Sequence, residues 1–133
     1  MTDILTAARE EGVLTGQHLE HSRAEDLDLS ELTFQKTTFH KCIFTDCDFS
    51  SAAFYGCKFA DCAFQFCRFP GSYWKASQLT GSKCDGSDFR RSRFKECVIS
   101  GALLRYINFT SSVWERDEIT ESDFAESTFQ EAR

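Results

Sequence analysis

Thirteen of the fourteen phenylalanines lie on one arithmetic track with a step of five: Phe34, Phe39, Phe44, Phe49, Phe54, Phe59, Phe64, Phe69, Phe89, Phe94, Phe109, Phe124 and Phe129. Both tryptophans, Trp74 and Trp114, share the track, as do Leu14, Leu19, Leu29, Leu79, Ile99, Leu104 and Ile119. Of the 24 positions from 14 to 129, only Ala24 and Cys84 are not large and apolar. Neither the 3.6-residue period of a helix nor the two-residue period of a strand produces that spacing. A short fixed repeat over nearly the whole chain instead predicts a solenoid.

With the track position written i, the residue at i−2 is nearly always small. Cys42, Cys47, Ala52, Cys57, Cys62 and Cys67 are followed by serines at 72, 77, 82, 87 and 92, and between 37 and 112 only Ile107 is bulky. In extended backbone i−2 and i point the same way, so each unit offers one large and one small group to a shared interior. Six of the seven glycines lie at i+2, where a residue without Cβ turns a corner most easily. The pattern is a short extended piece and a turn, repeated.

Cys47-Asp48-Phe49-Ser50-Ser51, Ser87-Asp88-Phe89-Arg90-Arg91 and Ser122-Asp123-Phe124-Ala125-Glu126 resemble the pentapeptide-repeat family: a small residue, Asp or Asn, Leu or Phe, then two free positions. The resemblance covers residues 12–131 in one frame. It implies an all-β, right-handed quadrilateral β-helix with four units per coil, hence about six coils. At ~4.8 Å per coil the rod would be roughly 29 Å long. Residues 1–11 fall outside the frame and are expected to be an N-terminal cap. Thr2 is placed to cap a short helix carrying Ile4, Leu5 and Ala8, with Gly12 ending it.

Seven cysteines in 133 residues raise the question of disulfides or zinc. Six occupy i−2 and Cys84 occupies i, so all point inward. Stacking leaves their sulfurs near the ~4.8 Å coil spacing, too far for a disulfide. The three histidines, His18, His21 and His40, sit at outward registers. No metal site and no cofactor is expected. The chain shows no signal peptide and no long apolar run, which points to a reducing cytoplasm and no membrane association.

Charge is banded. Residues 1–67 hold 5 basic and 11 acidic side chains, residues 68–105 hold 8 and 3, and residues 106–133 hold 2 and 7. The sum is −6. Arg90, Arg91 and Arg93 belong to the basic belt, and Arg68 is expected to stack between Asp48 and Asp88. On one side of the rod the outward residues Ile43, Phe66, Leu103 and Tyr106 form a candidate partner-binding patch, Phe66 being the one phenylalanine off the track. Ala53, Tyr55 and Tyr73 make a second, smaller cluster. Trp114, Ile119, Phe124 and Phe129 line a last coil with nothing after it to cover it, which predicts either a homodimer through that coil or a truncated chain. Asp117 holds an inward place in the same coil, where an unpaired buried carboxylate is costly.

No phosphate loop, HExxH or activated nucleophile occurs, so a non-enzyme is expected. Asp28, Asp48, Asp88 and Asp123 read as backbone-bonding turn residues. The resemblance implies, as its most specific reading, a DNA-mimicking modulator of DNA gyrase like the Qnr-type quinolone-resistance proteins. The alternative is a protein-interaction scaffold or effector using the aromatic side. Charge density favours the alternative: 29 Å of duplex carries about 17 negative charges, and the middle of this chain is positive. Direct nucleic-acid binding is disfavoured by the sign of the net charge.

Overall fold

Every i+2 residue turns left-handed. Eighteen non-glycine residues, from His21 to Glu131, have φ between 47° and 60°, and the six glycines at the same register have φ between 58° and 76°. An L-residue in that conformation costs roughly 1–2 kcal/mol, so glycine alone does not explain the corners. The compensation is a hydrogen bond: below the sixth coil each corner N–H donates to a carbonyl of the next coil, as His21 does to His40 at 3.0 Å. Phe66 is the single corner in those five coils without that bond.

The computed structural model describes all 133 residues. Helix α1 (Thr2–Glu11) precedes fifteen three-residue strands: β1 (Val13–Thr15), β2 (His18–Glu20), β3 (Arg23–Glu25), β4 (Thr33–Gln35), β5 (Thr38–His40), β6 (Ile43–Thr45), β7 (Ala53–Tyr55), β8 (Lys58–Ala60), β9 (Ala63–Gln65), β10 (Tyr73–Lys75), β11 (Gln78–Thr80), β12 (Arg93–Lys95), β13 (Val98–Ser100), β14 (Val113–Glu115) and β15 (Glu118–Thr120). Pairing is parallel with a register of twenty residues, Leu14 opposite Phe34 and Phe39 opposite Phe59. The first side is the six-stranded sheet β1-β4-β7-β10-β12-β14 and the second is β2-β5-β8-β11-β13-β15. The third side begins as β3-β6-β9 and continues through isolated bridges, Ala63 to Lys83 to Leu103 to Asp123. The fourth side is bridges alone, from Asp28 through Asp48, Arg68, Asp88 and Asn108 to Thr128. The outcome is a four-sided parallel-strand solenoid, the solenoid as the step of five implies and the four sides as the family resemblance implies.

The interior is a set of stacked rings. Phe34 lies on Phe54 at 4.9 Å and 8°, and Phe49 on Phe69 at 4.7 Å and 0°. Offset by one coil spacing, such pairs add about 0.5–1.5 kcal/mol each beyond the area they bury. The small residues at i−2 do more than leave room. Ser82 Oγ donates to the Phe59 carbonyl and accepts the Cys62 N–H at 3.0 Å, and Cys62 Sγ reaches the Phe39 carbonyl at 3.3 Å. A hydroxyl or thiol there serves backbone groups at the inner corner. All seven cysteines are free and buried.

Thr2 and Ile4 depart from the sequence reading. Thr2 is the first helical residue and makes no cap bond; its hydroxyl faces the Arg23 carbonyl at 3.5 Å, because Met1 occupies the cap position. Gly12 does end α1, with φ 81° and its N–H on the Ala8 carbonyl, and Leu5 and Ala8 are buried while Ile4 is exposed. Asp117 is partly solvated and bonded, accepting the Cys97 N–H at 2.8 Å and the Glu115 N–H at 3.0 Å.

Candidate functional site

Side three changes corner geometry between its third and fourth coils. The unit centred on Phe64 is a strand, β9, whereas the unit centred on Cys84 closes a tight turn in which the Ser87 N–H donates to the Cys84 carbonyl. Cys84 is, with Ala24, one of two small residues on the track, so the interior beneath this turn is filled differently from the ring below. Two polar groups lose their partners at this step. The Phe66 N–H has no backbone acceptor, and Ser87 Oγ is buried without a hydrogen bond.

The surface above the step is apolar and open. Phe66 is 76% exposed and Tyr106 63%, the two most exposed large apolar side chains of the chain. They share a corner column with Gly86 between them, where an added Cβ would meet nothing within 4 Å. Asp46 and Glu126 are the next corners below and above, so acids frame the pair. A groove of about 530 Å³ runs along Ala63, Gln65, Phe66, Lys83, Asp85 and Gly86. Its far wall is fixed by the Asp85–Arg105 pair: the carboxylate accepts from Arg105 Nη2 at 2.6 Å, from Nε at 3.2 Å and from the Arg105 N–H at 2.9 Å. The Arg105 guanidinium holds the Asp85 carboxyl below the usual range. Ile43 and Leu103 lie half-buried on the same side.

The structure does not bring Arg90, Arg91 or Arg93 to this patch, although Arg105 of the same band stands at its edge. Arg90 is on side four, chelating Asp88 with Nε and Nη2 at 2.8–3.1 Å, so Arg68 is left with Asp48 alone, at 3.4 Å. Arg91 turns the corner toward side one, where Arg93 lies 5.6 Å from the Tyr73 ring centre. Tyr73 meets Tyr55 edge to face at 5.8 Å, and Lys75 and Lys95 are strand partners beside them. Sequence reading placed Tyr55 and Tyr73 together but missed the cations, because their shared side only emerges once positions 75, 93 and 95 are folded onto the twenty-residue register. The turn aspartates do what their position implies: Asp28, Asp48, Asp88 and Asp123 each accept the N–H two residues on, at 2.9–3.0 Å.

At the C-terminal end, Trp114 and Phe124 are half-covered while Ile119 and Phe129 are each 43% exposed. With Arg116, Asp117, Ala132 and Arg133 they line an open bowl of about 630 Å³. No helix is long and apolar enough to cross a membrane.

Residues 17–87 match the family described as the pentapeptide repeat region. Among solved structures, a pentapeptide repeat protein (Rfr23) from the cyanobacterium Cyanothece 51142 superposes with a TM-score of 0.65 at 12% identity, over 99% of this chain and 97% of that one. A trypsin-treated variant of QnrB1, a plasmid-mediated fluoroquinolone resistance protein, superposes with a TM-score of 0.51 at 18% identity, over 88% of this chain and 73% of that one. At these identities the likeness is one of fold. No curated protein matches the chain in sequence.

Proposed function

The chain belongs to the pentapeptide-repeat family, and from that premise we propose that it is a non-catalytic, protein-binding solenoid whose contact surface is the Phe66–Gly86–Tyr106 column of side three. The observation that carries this reading is Phe66 itself. A large aromatic, three-quarters exposed and with φ 55°, stands at the one corner below coil six whose N–H lacks its ladder bond. Exposed aromatics held by a rigid frame, rimmed by charge and beside an unpaired backbone donor, are what a protein partner can cover with gain. A left-handed corner whose N–H lacks the bond that offsets its cost elsewhere is a candidate functional position.

A photo-crosslinking amino acid at position 66 tests it in cells. The reading requires a discrete crosslinked protein that is lost with Tyr106→Ser and absent when the probe stands at Gln78 on side two. If position 66 yields no band of its own, the reading is wrong.

The partner most specifically suggested is DNA gyrase, with the chain standing in for duplex DNA. Its net charge of −6 and stacked-coil shape favour that reading. The basic band at residues 68–105 opposes it, since duplex of the same length carries about 17 negative charges. Gyrase supercoiling, with and without a fluoroquinolone, decides it. Inhibition or drug protection that is lost when surface carboxylates are neutralised supports mimicry. Inhibition lost with Phe66→Ser and Tyr106→Ser makes gyrase a partner of the aromatic column. No effect at large molar excess removes gyrase.

A further inference from the structure

The three histidines of the chain stand on one patch of coils one and two. His18 and Glu20 flank the inward Leu19 on β2, His40 follows the inward Phe39 on β5, and His21 turns the corner after Glu20. Glu20 and His40 are direct strand partners, and the His21 N–H is bonded to the His40 carbonyl at 3.0 Å. Backbone therefore ties all three residues together. One ligand atom from each of Glu20, His21 and His40 lies within 4.8 Å of the others. The outward register of these side chains, which along the sequence argues against ligation, gathers them because twenty-residue coils stack.

We propose that Glu20, His21 and His40 form a site for a borderline divalent transition cation, with Zn²⁺ as the reference ion. Two imidazoles and one carboxylate suit Zn²⁺, Ni²⁺ or Cu²⁺, whereas Mg²⁺ and Ca²⁺ call for oxygen ligands throughout. Bonds of ~2.0–2.1 Å in a tetrahedral arrangement place ligand atoms about 3.3 Å apart. His40 Nδ1 is 3.9 Å from Glu20 Oε1, and with the three ligand atoms spread over up to 4.8 Å, side-chain rotations of His21 and His40 close the site. One outer partner is bonded and a second stands beyond hydrogen-bond distance, within reach of a side-chain rotation. His40 Nε2 faces Asp61 Oδ2 at 3.8 Å, which leaves Nδ1 for the metal, and His18 Nε2 lies 2.8 Å from Glu20 Oε1 and orients the carboxylate. The remaining coordination position opens to solvent. The site is on side two and shares no residue with the aromatic column.

Titration of Zn²⁺ into the full chain by calorimetry, with Co²⁺ substitution followed by visible absorption, tests the assignment. One ion per chain is expected, with tetrahedral Co²⁺ bands and no thiolate-to-cobalt charge transfer. His40→Ala and Glu20→Gln should abolish saturable binding while leaving the circular dichroism unchanged. Asp61→Asn, a change to a positioning residue, should weaken binding about 10-fold to 100-fold. Absence of saturable Zn²⁺ binding by the wild-type chain would overturn the proposal. So would binding that survives His40→Ala and Glu20→Gln, or a thiolate signature placing the ion on cysteine.

Discussion

Ser127 Oγ donates to the Leu104 carbonyl at 2.7 Å and accepts the Ile107 N–H at 3.0 Å, whereas Ser87, two coils away in the same column, reaches no partner. The difference lies in what each serine covers. Ser127 sits over a unit that turns as its own does, so the carbonyl and N–H it needs are in reach. Ser87 sits over the strand-like Phe64 unit, where they are not. The dislocation that strands Ser87 on the inside also leaves the Phe66 N–H bare on the outside.

Ser87→Ala is therefore expected to raise stability by about 1 kcal/mol, since it removes a buried hydroxyl that pays desolvation for nothing. Ser127→Ala should lower stability by a similar amount. Urea midpoints measure both. Equal losses for the two variants would mean that Ser87 has a partner after all.

The seven thiols should be silent in the native protein. Burial pushes the Cys57 and Cys84 thiols up, and Cys97 to about 11. Hydrogen bonds from the Cys62 and Cys67 thiols pull Cys42 and Cys47 down and raise their partners, so it is the burial of all seven sulfurs that keeps a reagent out. A thiol reagent such as DTNB should find no reactive cysteine in buffer and seven in denaturant. A native thiol that reacts within seconds would contradict the inward register.

The interior was legible because it is written in one step: position i fills the ring and i−2 the corner, so Phe34 through Phe129 could be placed without a structure. Groups whose role depends on two coils at once were not. Glu20 and His40 meet only through the twenty-residue register, and so do Lys75 and Lys95. Glycine marked six corners, but eighteen others, Phe66 among them, carry side chains in the left-handed region, where inter-coil hydrogen bonds override local preference. Arg68 could be placed between Asp48 and Asp88, yet Arg90, two residues from Asp88, takes that carboxylate. The change of corner geometry at Cys84 coincides with a small residue on the track, yet Ala24, the other one on that side, stays in strand β3. The small residue was visible but had no direction attached to it.

Asp117 should make stability depend on pH. Burial holds its carboxyl above the ordinary 3.8, against the pull of the two N–H groups it accepts. A raised folded pKa means that the ionised form is the less stable one when folded. Its cost is absent below 3.8 and complete once the pH has passed the folded value. Asp117→Asn should thus stabilise the chain at pH 7 by a fraction of ~1 kcal/mol, given how open the site is, with the gain fading as the pH falls through the raised folded value and gone below 3.8. A gain that persists unchanged at pH 3 would locate the effect elsewhere.

Coil six should pair with a second copy. Its upper edge leaves β15 without a ladder partner, although the Trp114 and Glu115 N–H groups of β14 are taken by the Arg133 carbonyl and Asp117, and it presents the exposed side chains of Ile119 and Phe129; open strand edges of this kind associate. A two-fold end-to-end contact would set these strands antiparallel across the axis, each copy presenting the same surface. Light scattering should give twice 15.2 kDa for the wild-type chain, and 15.2 kDa for Ile119→Glu with Phe129→Glu. A monomeric wild type at its highest soluble concentration would refute the interface. Asp117 gives an independent check, because it lines the same bowl. Covering it desolvates its carboxylate further, so Asp117→Asn should tighten the dimer, whereas Ser87→Ala, buried far from the end, should raise stability without moving the association constant.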